Sequence, residues 1–277
     1  MKKTIKTILI AIGLALMFVS IQGLGGGFLG VYYAVQSAAS GLEPDPDGVT
    51  NFILSKVNWL ILINYSLVVL ITWIVFLIKK VKVREYLHFK TFNLKQLPLL
   101  LCYALTLQLI GGYIIKGIDY IYPMSESYQS MVDAMQTGNL LFSILSLAIV
   151  APVVEELFFR GVMFTKLKNH TSTKVAMLIQ AVLFGLIHFN AAQLIPTFLL
   201  GCIAAYMYEK YNNIWVPIAF HMVFNLIAVI SVYQPENIQL IIGYSSYFAG
   251  AFTVIIFLRN YYEKKNKDDL KVNEETL

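Results

Sequence analysis

Residues 139–165 read NLLFSILSLAIVAPVVEELFFRGVMFT, an apolar run that carries Pro152, Glu155, Glu156 and Arg160 in its second half. Wound as a helix at about 1.5 Å per residue, it exceeds the roughly 30 Å hydrocarbon core of a bilayer. Charge within hydrocarbon costs at least about 2.5–3.5 kcal/mol per residue on insertion scales. The stretch therefore defines a membrane span, and with it a charged group that needs partners on other spans.

The rest of the chain agrees. Of 277 residues, 58% are hydrophobic and 13% charged, with a mean hydropathy of +0.67. A soluble core of this length could not hide so much apolar side chain, and a disordered chain would not contain it. Two cysteines, Cys102 and Cys202, both in apolar runs, make no disulfide framework. The fold class that remains is all-α: a polytopic membrane protein with about eight transmembrane helices. Apolar runs place them at 7–35, 57–78, 97–118, 139–165, 174–189, 191–208, 213–232 and 237–258. The fifth is short, so the turn at His188-Phe189-Asn190 is expected below the membrane surface, against protein or water.

The net charge of +5 is distributed as a topology signal rather than as a nucleic-acid surface. With a cytoplasmic N-terminus, 18 of the 21 Lys and Arg fall on the cytoplasmic side, Lys56 and Lys116 fall outside, and Arg160 lies within a span. Both termini are therefore expected in the cytoplasm. The N-terminal apolar stretch is too long for a signal-peptide core and reads as a retained first span. The tail from Arg259 alternates in charge and is expected to be solvated. The chain divides into N-terminal helices and loops (1–138), a polar-bearing core (139–232), and a last span with its charged tail (233–277). Gly25-Gly26-Gly27-Phe28-Leu29-Gly30 fits G-x-G-x-x-G but lacks the strand such a nucleotide site requires. Gly23 with Gly27, and Gly26 with Gly30, suit close helix packing instead.

Polar side chains inside the spans converge in the core. Glu156 and Arg160 are four apart on one helical face and can pair, whereas Glu155 lies about 100° around the helix and is free to face another space. Pro152 and Pro217 each remove a backbone hydrogen bond near these groups and should kink their spans. Counted from the cytoplasmic span ends at 1.5 Å per residue, Glu155, His188, His221 and Asn225 reach roughly similar depths, about 12–21 Å. No serine elbow or nearby cysteine offers a nucleophile. A carboxylate with a histidine can deprotonate a water and protonate a leaving amine, while a second histidine and an amide can stabilise an oxyanion. That is a hydrolase set acting on a carbonyl, most simply a peptide bond. His88 and His170 fall in cytoplasmic loops and are expected to be unremarkable; Asn190 is expected to cap or line the turn after His188.

Glu155-Glu156-Leu-Phe-Phe-Arg160, Phe184-Gly-Leu-Ile-His188 and His221-Met-Val-Phe-Asn225 together resemble the signature of the CAAX-protease and bacteriocin-processing family of intramembrane endopeptidases, which includes the type II CAAX prenyl proteases. The resemblance covers about 139–232. It implies an eight-helix membrane fold in which Glu155 is the general base, His188 its partner on the attacking water, and His221 with Asn225 the oxyanion stabilisers. Glu156 and Arg160 would support the helix, and Phe184 would shape the cavity. The family's frequent metalloprotease label points to a possible zinc held by Glu155, His188 and His221, although no H-E-x-x-H spacing occurs; the favoured reading needs no cofactor. Expected partners are the lipid bilayer of a bacterial plasma membrane and a membrane-anchored or amphipathic peptide or protein substrate, with no nucleic acid and no oligomer specified. Two other classes are consistent with the same polar spans. One is a proton-coupled transporter, which should show two related halves that this sequence lacks. The other is a non-catalytic scaffold or immunity factor.

Overall fold

The computed structural model describes residues 2–121, 132–133, 138–233, 239–256 and 259. Each expected span has a helix: α1 (Lys2–Ala39), α3 (Val57–Ile78), α5 (Leu97–Ile121), α6 (Leu140–Lys168), α7 (Thr173–Leu186), α8 (Ala191–Tyr211), α9 (Trp215–Tyr233) and α10 (Gln239–Ile256). Two short helices lie between them, α2 (Pro46–Ser55) and α4 (Val83–Tyr86). Among the described residues, six of these ten helices are long and apolar enough to cross a membrane: α1, α3, α5, α6, α9 and α10. α7 has only 14 residues, as its short apolar run foretold. α8 is longer, but Gln193, Pro196, Thr197, Glu209 and Lys210 make it more polar than a span. The C-terminal tail expected to be solvated lies, but for Arg259, outside the described residues.

The helix starts are written in the sequence. Asp45 accepts from Gly48 N at α2, Asn139 from Phe142 N at α6, Ser172 from Val175 N at α7 and Asn190 from Ala192 N at α8. Each side-chain oxygen satisfies an amide that the first helical turn leaves without a carbonyl. Asn190 thus caps α8, and the chain reaches it through Phe189 at φ 47°, a left-handed turn. α8 ends on Asn212, also left-handed at φ 46°. α2 lies between the first two expected spans, where the sequence places no span. Pro46 after the Asp45 cap starts it, and Phe52 holds it on Tyr33 of α1 with ring centroids 5.3 Å apart.

Segments expected on the cytoplasmic side gather at one end of the bundle. Thr4 donates to the His170 carbonyl, Lys168 pairs with Glu209, Asn213 donates to the Thr91 carbonyl, and the Ile214 amide donates to the His88 carbonyl. His88 is held in place at this end by its side chain as well. Its Nδ1 lies 2.9 Å from the Tyr208 hydroxyl, and its backbone is left-handed at φ 52°.

The core is an aromatic chain running from α1 to α7. Phe18 packs on Tyr65, Phe158 and Phe159 at 5.5, 5.3 and 5.6 Å, and Phe159 packs on Phe184 at 5.0 Å. Such pairs contribute about 0.5–1.5 kcal/mol each beyond burial, and in lipid, packing of this kind is what holds helices together. The glycine expectation for α1 needs correction. A methyl group at Gly23, Gly26 or Gly27 would meet nothing within 4 Å, so these positions are not the close contact. The close approach is at Gly25, where a Cβ would lie 2.5 Å from Asn64 Oδ1. Gly30, the other partner, faces α2 instead.

Candidate active site

α6 is one helix, but it changes winding around the acids. Ile144–Val150 and Leu157–Phe164 are π-helical and Ala151–Glu156 between them is α-helical. Pro152 explains the first widening. It has no N–H to donate, and the Ala151 N–H reaches back to the Ser146 carbonyl. In a regular α-helix that amide would take Leu147 O. Asn225 Nδ2 takes it instead, at 2.8 Å. The expected kink is thus realised as a wider helix whose freed carbonyl is satisfied from α9, the usual remedy for Pro in a membrane helix. π-wound turns are frequent at functional sites because they re-aim side chains.

The acids then part company, as their 100° separation requires. Glu156 and Arg160 are both fully buried, with Nη1 2.8 Å from Oε1. That contact is ionic but off-axis: none of the three guanidinium nitrogens has a hydrogen-bond partner of good geometry among the described residues. The Phe184 ring lies 4.5 Å from the guanidinium carbon and supplies a cation–π contact. Glu156 Oε1 also accepts from His221 Nδ1 at 2.8 Å. A carboxylate can only accept here, so Nδ1 carries the proton and Nε2 of the neutral ring is free.

That free Nε2 faces Glu155. Its distance to Glu155 Oε2 is 3.7 Å, beyond a direct hydrogen bond, the spacing at which a bridging water is to be sought. The other carboxylate oxygen of Glu155 accepts from the hydroxyl of Tyr65, on α3. Glu155 and His221 are buried, at 5% and 3% exposure, whereas His188 is half-buried. His188 Nδ1 lies 2.8 Å from the Phe184 carbonyl, which fixes the proton on Nδ1 and leaves Nε2 unprotonated in the neutral ring. Both imidazoles pack edge-on against Phe184, at centroid distances of 5.2 Å for His188 and 5.8 Å for His221.

The structure therefore brings Glu155, Glu156, Arg160, Phe184, His188 and His221 into one cluster. Asn225 stands one turn from His221 and is held on Leu147. Tyr65 is the residue that sequence reasoning missed. Its signal was present: Asn64-Tyr65 is a polar interruption near the middle of an apolar span. An apolar groove of about 500 Å³ lies between α1 and α7, lined by Ala15, Leu16, Val19, Leu183 and Ile187, and by Phe189 and Asn190 in the turn after His188; the cluster residues themselves do not line it.

Among the described residues, no group of three or more His, Cys, Asp or Glu side chains is gathered closely enough to hold a metal ion. Glu155, His188 and His221 as placed do not form a ready set.

An all-α, multi-pass membrane protein with a buried glutamate–histidine–arginine cluster is the class that this fold and site define. Residues 137–227 match the model of a family described as "Type II CAAX prenyl endopeptidase Rce1-like". Over 149 residues the chain is 34% identical to the "Putative membrane peptidase YdiL" of Bacillus subtilis (strain 168), covering 50% of this chain and 60% of that protein. Over 68 residues it is 41% identical to the "UPF0177 protein YxdF" of Lactococcus lactis subsp. lactis (strain IL1403), covering 24% of this chain and 37% of the relative. No solved structure matches. By these matches the chain is similar to that endopeptidase family over residues 137–227, and it spans about 60% of the length of the Bacillus subtilis relative. Its bacterial relatives fit a protein of the plasma membrane.

Proposed function

We propose that the protein is an intramembrane endopeptidase that hydrolyses peptide bonds of membrane-anchored or amphipathic peptides or proteins with a glutamate- and histidine-activated water. The observation that carries this reading is the gap between Glu155 Oε2 and His221 Nε2, 3.7 Å wide, bounded by a carboxylate and an unprotonated ring nitrogen. A water bound there is within reach of Glu155, which takes its proton as the oxygen attacks the scissile carbonyl. His188 offers a second unprotonated Nε2 from the half-buried side, where it can orient the water.

The anchor behind His221 gives the site its second half. Glu156 holds the Nδ1–H, so the proton that Glu155 takes from the water can pass on to Nε2, giving an imidazolium paired with the buried carboxylate. That imidazolium faces the developing oxyanion and can pass its proton to the leaving amine. Asn225 gives one amide hydrogen to Leu147 O and keeps the other for the oxyanion. Arg160 pairs with Glu156 without entering the reaction. The groove between α1 and α7 suits the apolar side chains of a substrate approaching from lipid.

Comparative membrane peptidomics of cells carrying the wild type and Glu155→Ala tests this reading. A peptide present only with the wild type supports it and names the substrate; identical peptide sets with both proteins overturn it in favour of a transporter or scaffold. Activity of purified protein after exhaustive chelation, with metal analysis alongside, decides between water activation by Glu155 alone and a zinc-dependent variant.

A further inference from the structure

The family match begins at residue 137, yet one hydrogen bond to Glu155 comes from α3, some ninety residues upstream. We infer that Tyr65 is a positioning residue for Glu155, so that the N-terminal helices complete the hydrolytic site. This rests on the endopeptidase reading above and adds to it a residue outside the three sequence motifs.

The geometry is specific. Tyr65 donates to one carboxylate oxygen, and the other oxygen then faces His221 Nε2. A glutamate has a free terminal torsion that interchanges its two oxygens and swings the carboxylate plane. One donor from a rigid neighbour fixes that plane. Tyr65 is itself buried, at 6% exposure, with its ring packed on Phe18 at 5.5 Å. The residue beside it is pinned too: Asn64 donates to Gln22 Oε1 on α1, and only a glycine at 25 leaves room for it. Three contacts therefore hold α3 against α1 at the level of the acid. A phenol delivered so firmly to a buried carboxylate controls where the lone pairs of Glu155 point, and proton transfer needs that direction within about 10–20°.

The test is Tyr65→Phe in the full-length protein, assayed on a peptide that the wild type cleaves and Glu155→Gln does not. Phenylalanine keeps the ring, hence the Phe18 packing. The expected result is kcat reduced about ten- to hundredfold, as for loss of a hydrogen bond to a charged acceptor, with KM and the detergent melting temperature within error of wild type. Unchanged kcat overturns the role of Tyr65. So does a raised KM at constant kcat, or a variant recovered only unfolded, since either assigns Tyr65 to structure alone. A wild type that cleaves no peptide removes the endopeptidase reading itself, and is distinguished from these outcomes by the failure of the parent protein.

Discussion

α1 and α6 are both longer than a bilayer needs, yet they are built in opposite ways. α1 is α-helical throughout its 38 residues and buries a single stripe: Thr7, Ala11, Ala15, Phe18 and Ile21. α6 is buried nearly all round between Ala151 and Phe164 and is π-wound on both sides of Ala151–Glu156. The difference teaches what each helix is for. A helix that meets lipid on most of its surface needs only one packing face, and regular winding presents that face at little cost. A helix that must aim Glu155 toward α3 and α9, and Glu156 with Arg160 between α7 and α9, cannot do so on one stripe. It gives up regular backbone hydrogen bonds, and neighbours satisfy the freed groups. Substitutions can break this contrast or sharpen it.

The largest effect falls on the chemistry that α6 carries. Glu155→Gln keeps the shape and the Tyr65 partner but removes the base, so cleavage should fall by about 10²–10⁴-fold, the usual contribution of general base catalysis. Comparing initial rates of peptide cleavage at equal amounts of folded protein checks this; a variant within threefold of wild type would remove Glu155 from its role. Next in size is Arg160→Ala, which acts on stability. It leaves the buried Glu156 carboxylate without its cation, and breaking a buried pair from one side costs about 3–5 kcal/mol. Folded yield and thermal midpoint in detergent should fall sharply. A well-folded Arg160→Ala protein would mean that His221 alone suffices for Glu156.

Much of the contrast was legible from residues alone. The apolar runs located eight helices to within a few residues, because length and polarity decide what can lie in lipid. The i,i+4 spacing paired Glu156 with Arg160, and the 100° offset sent Glu155 elsewhere. Three things were not legible. The π-winding depends on Leu147 O finding Asn225, a contact 78 residues apart. Tyr65 looked like one of many aromatic residues until α3 was placed against α6. His221 was assigned to the oxyanion, but no spacing rule revealed that its Nδ1 would be held by Glu156 while its Nε2 faced Glu155. Periodicity fixes the face of one helix; it carries no information on the rotation of two helices relative to each other.

Glycines give the comparison in its plainest form, and Gly185→Ala is the next largest effect. In the core, a Cβ at Gly185 would lie 2.8 Å from the backbone oxygen of Leu194, which cannot move away as a side-chain tip can. α7 and α8 must separate, at about 1–3 kcal/mol, the range for overpacking. Because His188 stands three residues further on, cleavage should fall as well. A thermal shift of a few degrees together with reduced turnover is expected, and turnover at wild-type level despite the shift would detach His188 from the reaction. A smaller, pH-dependent effect belongs to the end of the bundle expected to face the cytoplasm. Burial, with help from Lys90 and Lys168, lowers the pKa of His88 below its ordinary 6.5. The folded state therefore holds fewer protons than the unfolded chain as pH falls below 6.5, and stability is lost in that window while none is lost above it. His88→Asn should flatten the fall in melting temperature below about pH 6.5; an unchanged slope would assign the acid lability to other groups.

The smallest effect is predicted for α1, and it is the most discriminating. Gly23 is exposed and a methyl group there would touch nothing within 4 Å. Gly23→Ala should therefore change stability by no more than about 0.5 kcal/mol, in the range of surface substitutions, with helix propensity pulling toward gain. Gly25→Ala, two residues on, would drive a Cβ into Asn64 and through it disturb the α1–α3 contact beside Tyr65. The pair should separate cleanly: Gly23→Ala with wild-type melting and cleavage, Gly25→Ala with both reduced. If instead Gly23→Ala is the damaging one, the face of α1 that points to lipid is occupied in the membrane by another helix, and the single-stripe description of α1 fails where the all-round burial of α6 would still stand.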